Sequence, residues 1–185
     1  MAQTNSNPYL AEISNELNAA VTELNHPLKF CVLSSIGLDN TPQSRIVILR
    51  KVTPDFKFTF FTDERSEKVH QIKANSNVSL LFYHPINKIQ IKVNGTASLV
   101  EDPDIIQKKW LRQSPVAQKN YTTTKAPGSK LNDAHEIQYL KDENYFCIVT
   151  IQAKKVEYLK LKDTSHFKVK FHKDINGWVS EFLVP

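Results

Sequence analysis

The densest concentration of chemistry in the sequence is Thr62-Asp63-Glu64-Arg65-Ser66-Glu67-Lys68, where a strand-like run gives way to a helical one. A helix start leaves backbone N–H groups free and carries partial positive charge, so acidic residues are favoured there and a lysine is mildly unfavourable. Arg65 and Lys68 nevertheless cluster at that end, beside the Ser66 hydroxyl. Amides, helix dipole, hydroxyl and two cations would converge on a phosphate without any glycine. In the competing reading Asp63 and Glu67 neutralise the cations and Ser66 is a simple cap. The segment alone leaves both readings open.

A second basic feature is Ser44-Arg45-Ile46-Val47-Ile48-Leu49-Arg50-Lys51. Four consecutive apolar residues imply a strand buried on both faces, where a flanking arginine is unusual unless it is paired or snorkels to the edge. Strict alternation puts Arg45 and Arg50 on opposite faces, so one site takes both only with twist or with a ligand spanning the strand. Solvated strand ends are the alternative.

Other chemistries fall away. The glycines are Gly37, Gly95, Gly128 and Gly177, and no window among them fits GxGxxG, GxxxxGK[ST] or GxSxG. His26, His70, His84, His135, His166 and His172 show no HExxH and no cysteine at zinc spacing, so no metal site is expected. Cys31 and Cys147 stand alone in apolar runs and read as small buried hydrophobes. Without CxxC or a signal peptide the expected compartment is the cytoplasm. The apolar runs fall short of the roughly 20 residues needed to cross a bilayer, so no membrane is expected as a partner. The net charge of +5, from 24 basic and 19 acidic residues, favours an anionic partner without identifying it.

These residues need a scaffold. Met1–Ser6 is polar and expected to be loose, and Asn7-Pro8 is a cap pair opening a helix over about 8–25, with Ile13, Leu17 and Ala20 on its apolar stripe. Strands are expected over 28–36, 43–52, 56–62, 78–83, 88–100, 145–152, 156–161, 167–172 and 178–184. Gly37–Asn40 reads as a hairpin turn and Gly95 as a bulge. Short helices are expected over 66–75, from Pro103, and weakly over 134–141, while 113–130 reads as a loop suited to a lid or substrate contact. Many short strands with hairpin-length links and few helices predict a mainly β fold, an antiparallel, Greek-key-like barrel with peripheral helices, in one domain over 1–185.

The order PQSRIVILR, FTFFTDERSEKVHQI, NSNVSLLFY, IQIKVNGTASLV resembles the pyridoxamine 5′-phosphate oxidase superfamily, the FMN-binding split barrels. Asn176–Pro185 is similar to that family's tryptophan-containing last strand. The resemblance implies a homodimer with FMN in clefts between subunits. It implies cofactor contacts from Arg45, Ile46, Val47, Ile48, Leu49 and Arg50, with Arg45 on the phosphate, and from Phe61 and Thr62. It adds Arg65, Ser66 and Lys68 at the phosphate, Gln90 at the flavin ring, and Lys168 as a basic contact.

Substrate features depart from the family. Its oxidases use a lysine after the RxVLL strand, a Tyr…Arg…Ser set and an Arg-x-His motif. Here those positions hold Arg50, Trp110 and Ser114, and Thr164-Ser165-His166 keeps the histidine alone. Leu159 stands where a cofactor-contacting tryptophan is expected. Two lost arginines remove donors worth about 1.5–3 kcal/mol each. The expected function is an FMN-dependent oxidoreductase of pyridoxamine 5′-phosphate oxidase type, moving a hydride from an amine or alcohol to flavin N5 with reoxidation by dioxygen. Arg50, Trp110, Ser114 and His166 are the candidate substrate contacts, and no side chain is assigned as acid or base. The alternatives are an FMN or haem module without turnover, a carrier or sensor, and a flavin reductase. Nucleic-acid binding is not expected, because acidic residues interleave with the lysines and no stacking motif is present.

Overall fold

Asn7 opens the first helix by accepting a hydrogen bond from the Tyr9 amide (3.1 Å), with Pro8 in the first turn. In the computed structural model, which describes residues 7–162, 165–175 and 177–185, this helix is α1, Pro8–Thr22. It stops short of the expected end because Glu23 is already extended. Ile13, Leu17 and Ala20 are fully buried, as the periodicity predicts. Met1–Ser6 lies outside the described residues.

The strands are β1 (Phe30–Ile36), β2 (Pro42–Ile48), β3 (Lys51–Val52), β4 (Lys57–Asp63), β5 (Asn77–His84), β6 (Ile89–Leu99), β7 (Phe146–Lys160), β8 (Phe167–Asp174) and β9 (Gly177–Leu183). The helix α2 (Glu67–Ala74) links β4 to β5, and α3 (Pro103–Trp110) with the short α4 (Pro115–Gln118) follows β6. All strand pairs are antiparallel, in the order β2-β1-β5-β6-β7-β4-β3, with β8 on β7 and β9 on β8.

The expected strand over 43–52 breaks at Leu49-Arg50, and the break closes the barrel. The Leu49 amide still donates to Lys29 O beside β1, whereas the Arg50 amide donates to Thr59 O on β4, each at 2.9 Å. The two ends of the strand order are therefore consecutive stretches of one chain. The expected mainly β barrel with peripheral helices is the fold observed, and its core is filled by alternate residues such as Phe58, Phe60, Leu80, Phe82, Ile91 and Val93.

Two expectations are corrected. The strands at 145–152 and 156–161 are one 15-residue strand, β7. The break expected between them falls inside the strand, because the register against β6 shifts at Asn94/Gly95 and Lys154 becomes the extra residue of a bulge. The helix over 134–141 is a single 3₁₀ turn, Ala134–Glu136. Beyond it the chain is extended and pairs with the preceding loop: Thr124 N donates to Gln138 O (2.9 Å) and Leu140 N to Thr122 O (2.6 Å). Ile137 and Tyr139 remain exposed, so no apolar stripe was available to drive a helix.

A second, smaller core covers the outside of β4 and β7. Tyr121, Phe146 and Ile148 are its buried residues, with Phe61, Ile106 and Trp110 packed against them. It anchors the excursion over residues 113–144 to the barrel.

Candidate functional site

The strand alternation that buries Val47 and Leu49 turns Arg45 toward α2 and places Arg50 on the opposite side, as the spacing predicts. Arg45 Nη2 donates to Gln71 Oε1 (2.7 Å) and Nη1 to Ser35 Oγ (2.5 Å). Ser35 Oγ also donates to Gln71 Oε1 (2.7 Å), and Gln71 Nε2 donates to Glu67 Oε1 (2.9 Å). Gln71 is fully buried on the inner face of α2. A polar network of this kind fixes the guanidinium without neutralising it.

Lys68 stands on the same helix, half-buried, and its Nζ donates to the buried Thr62 Oγ1 at 3.1 Å. Burial and then the nearby Arg45 charge pull the Lys68 ammonium below the ordinary lysine range, while Asp63 and Glu67 oppose the shift. Burial also lowers Arg45, with Glu67 opposing. Among the described residues neither cation makes an ion pair. Two neighbouring part-buried cations without an ion-pair partner among the described residues make an arrangement that an anion would stabilise.

The start of α2 completes that site. Ser66 is the cap residue, but its hydroxyl donates backward to Asp63 O (2.7 Å) and makes no cap bond to α2. Among the described residues no side chain caps the first-turn amides, of which Val69 N donates to Ser66 O (2.9 Å), and the simple-cap alternative does not describe Ser66. Arg65 behaves differently from the expectation of a phosphate ligand. Its guanidinium is engaged with Asp63 through Nε (3.1 Å) and Nη2 (2.7 Å), and with Thr123 O through Nη2 (2.9 Å).

Arg50 lies 5.5 Å from the Phe61 ring centroid, with its Nε buried and unpartnered. Beside it is the buried Tyr121, whose hydroxyl is pushed up by burial and pulled partly back by the Arg50 charge. Tyr121 was not singled out by the sequence, because it sits in a polar segment with no periodic pattern. Trp110 packs on Tyr121 (6.3 Å) and Phe146 (5.7 Å) in the same cluster. Ser114 and His166 are not brought to Arg50: Ser114 Oγ accepts from Ala117 N as the cap of α4 (3.3 Å), and the exposed His166 accepts from Lys162 N (3.2 Å). Thr164 lies outside the described residues.

Gln90 and Lys168 flank Leu159 across β6, β7 and β8, on the outer face of the sheet. Lys168 pairs with Glu157 at 3.5 Å. Neither residue contacts the Arg45–Lys68 group among the described residues.

One cluster that the sequence did not reveal joins Glu16, His26 and His84, whose ligand atoms lie within 4.8 Å of one another. Its hydrogen bonds argue against a metal. His26 Nδ1 accepts from Leu28 N and His84 Nδ1 from Asn87 N, both at 3.2 Å, whereas metal ligation through Nε2 requires Nδ1 to carry a proton and donate it. The cluster ties α1 to the end of β5.

The family model of pyridoxamine 5′-phosphate oxidase matches residues 17–159 of this chain. A pyridoxine/pyridoxamine 5′-phosphate oxidase from Nocardioides is 26% identical over 190 residues, covering 95% of this chain and 87% of the relative. A pyridoxamine 5′-phosphate oxidase-related, FMN-binding protein from Nostoc punctiforme has the same fold, with a TM-score of 0.79 at 20% identity over 96% of this chain and 97% of its own. PhzG from Burkholderia lata, solved with tetrahydrophenazine-1-carboxylic acid, gives a TM-score of 0.79 at 18% identity, covering 99% and 95%. The fold is thus the FMN-binding split barrel. With a family match across most of its length, the chain belongs to the pyridoxamine 5′-phosphate oxidase family.

Proposed function

We propose that this protein binds FMN and uses it as an oxidoreductase. The observation that carries the reading is the Arg45–Lys68 pair at an uncapped helix start, a group that a phosphate monoester dianion would complete. Arg45, Thr62 and Lys68 would hold the phosphate, and Ile46–Leu49, spanning the end of β2 and the break after it, would contact the ring system together with Phe61. Gln90 and Lys168 complete the site from a second copy, consistent with their separation from the phosphate group within one chain. When bound, FMN would supply the redox chemistry, taking up a hydride from an amine or alcohol carbon with dioxygen as the final electron acceptor. The chain's own part is positioning: Arg50 and Tyr121 orient an anionic substrate, and no side chain is assigned as acid or base.

Proton linkage gives this reading a pH dependence. Lys68 is lowered from 10.5 in the free protein, and phosphate favours its charged form. Affinity for FMN therefore falls as pH rises through the lowered Lys68 value. Titrations across that value check the sign, and Lys68→Gln removes the dependence.

The homodimer rests on an exposed apolar face. Phe30, Ile46, Leu81 and Tyr83 are 56%, 69%, 38% and 50% exposed. Ile46, Val32 and Leu81 stand in register across β2, β1 and β5. Leu81→Glu, outside the proposed FMN contacts, is expected to give monomers in sedimentation velocity and to lower FMN occupancy with them.

One sheet holds all nine strands, which supports a single domain. Two buried free thiols, Cys31 pushed up to about 12 and Cys147 to about 11 by burial, fit a reducing cytoplasm. A carrier or sensor without turnover is the second reading, favoured by the local engagement of Ser114 and His166. Anaerobic mixing of the FMN-loaded protein with small amines and alcohols decides between them: bleaching of the flavin, reversed by air, supports the oxidase, and a colour indifferent to every donor supports the carrier.

A further inference from the structure

Arg65 stands beside the proposed phosphate site, yet its contacts lead away from it. Nε and Nη2 form a two-point pair with Asp63, a buried carboxylate that also accepts from the Arg65 amide (2.9 Å). Nη2 reaches Thr123 O at 2.9 Å and Nη1 reaches Thr124 O at 3.3 Å. The guanidinium plane covers Tyr145, with Cζ 3.3 Å from the ring centroid. The hydrogen bonds to Asp63 hold the Arg65 guanidinium above its ordinary range.

Each of those partners is itself fixed at one end of the 113–144 excursion or at the phosphate turn. Tyr145 N donates to Tyr121 O, and Tyr145 O accepts from Glu64 N, both at 2.8 Å. Thr123 and Thr124 belong to the extended pairing with residues 138–140. A planar, multiply donating guanidinium can satisfy Asp63, two loop carbonyls and a ring face at once, which an ammonium cannot.

We infer that Arg65 is a positioning residue, a strut between the phosphate turn and the excursion that carries Tyr121 to Arg50, and that it does not ligate the phosphate. The inference rests on the proposed FMN site for its second half alone. It makes the placement of the substrate wall depend on the turn that holds the cofactor.

The test compares Arg65→Gln, Arg65→Lys and Lys68→Gln in the full chain, with and without FMN. In Arg65→Gln, the amides of Thr124 and Leu140 should exchange with solvent about tenfold faster, while β6 amides keep their protection and FMN affinity stays within about threefold. Arg65→Lys should not restore the protection, because charge alone does not rebuild the strut. Lys68→Gln should do the reverse, weakening FMN about tenfold or more with exchange at Thr124 and Leu140 unchanged. FMN weakened about tenfold by Arg65→Gln and recovered by Arg65→Lys would overturn the inference, as would unchanged exchange at the two amides. Should the wild-type protein fail to bind FMN, the functional reading falls, and exchange in the free protein still decides on the strut.

Discussion

Replacing Arg45 and Lys68 together with alanine is expected to weaken FMN binding about 1,000-fold, from a contribution of about 1.5–3 kcal/mol for each charge-assisted contact. The singles should not sum simply. Each cation opposes the charge of the other, so Arg45→Ala brings the Lys68 ammonium back toward its ordinary range and partly compensates. The fold should tolerate both changes, because Ser35 keeps its bond to Gln71 and Lys68 supports Thr62 alone among the described residues. Flavin fluorescence titration of the metal-free, FMN-stripped protein gives the affinities, and thermal unfolding verifies that the variants are folded. Wild-type affinity in the double variant would remove Arg45 and Lys68 from the site.

Gly95→Ala should produce the largest loss of stability from the smallest chemical change. A Cβ at Gly95 would lie 2.3 Å from Gln152 O and 3.0 Å from Ile151 Cγ2 across the β6–β7 ladder. The nearest atom is backbone, so relief requires one strand to move against another in a filled barrel. A cost of about 3 kcal/mol is expected, which lowers the melting temperature by about 6–12 °C in a protein of this size. Gly128→Ala is the contrast. It has no atom within 4 Å of the new Cβ, but its φ of +89° disfavours alanine, so the loss should be about 1 kcal/mol. Equal melting points for Gly95→Ala and wild type would mean that the bulge absorbs the methyl group.

The barrel was legible because β-branched and aromatic residues alternate with polar ones in β6 and β8, and because Gly95 marks the bulge where two backbones approach. It was legible less well where packing overrides local pattern. The break expected between residues 152 and 156 does not occur, since β6 pairs with β7 along its whole length. The 134–141 segment has helix-forming residues but no face to bury, and extended pairing with residues 122–124 prevails.

The site divides in the same way. Thr62, Ser66 and Lys68 share one strand end and helix start, so sequence order places them together, whereas Arg45 reaches α2 from β2 through pairing that local order does not encode. Gln71 and Ser35, which orient Arg45, were missed because a glutamine and a serine within amphipathic elements give no separate signal. The engagement of Arg65 was not legible for a related reason. Its charge and position match a phosphate contact, and its engagement with Thr123 and Tyr145 depends on contacts 58 and 80 residues away that no local pattern encodes.

The central claim, that a phosphate monoester completes the Arg45–Lys68 group, separates FMN from riboflavin, which carries the same ring system without the phosphate. Titration of the stripped protein with both flavins, followed by quenching of flavin fluorescence, is therefore the most direct measurement. Saturation by FMN at one equivalent per chain, with riboflavin weaker by about 100-fold or more, is the predicted result. Equal affinity for the two, or no binding of either, would contradict the account.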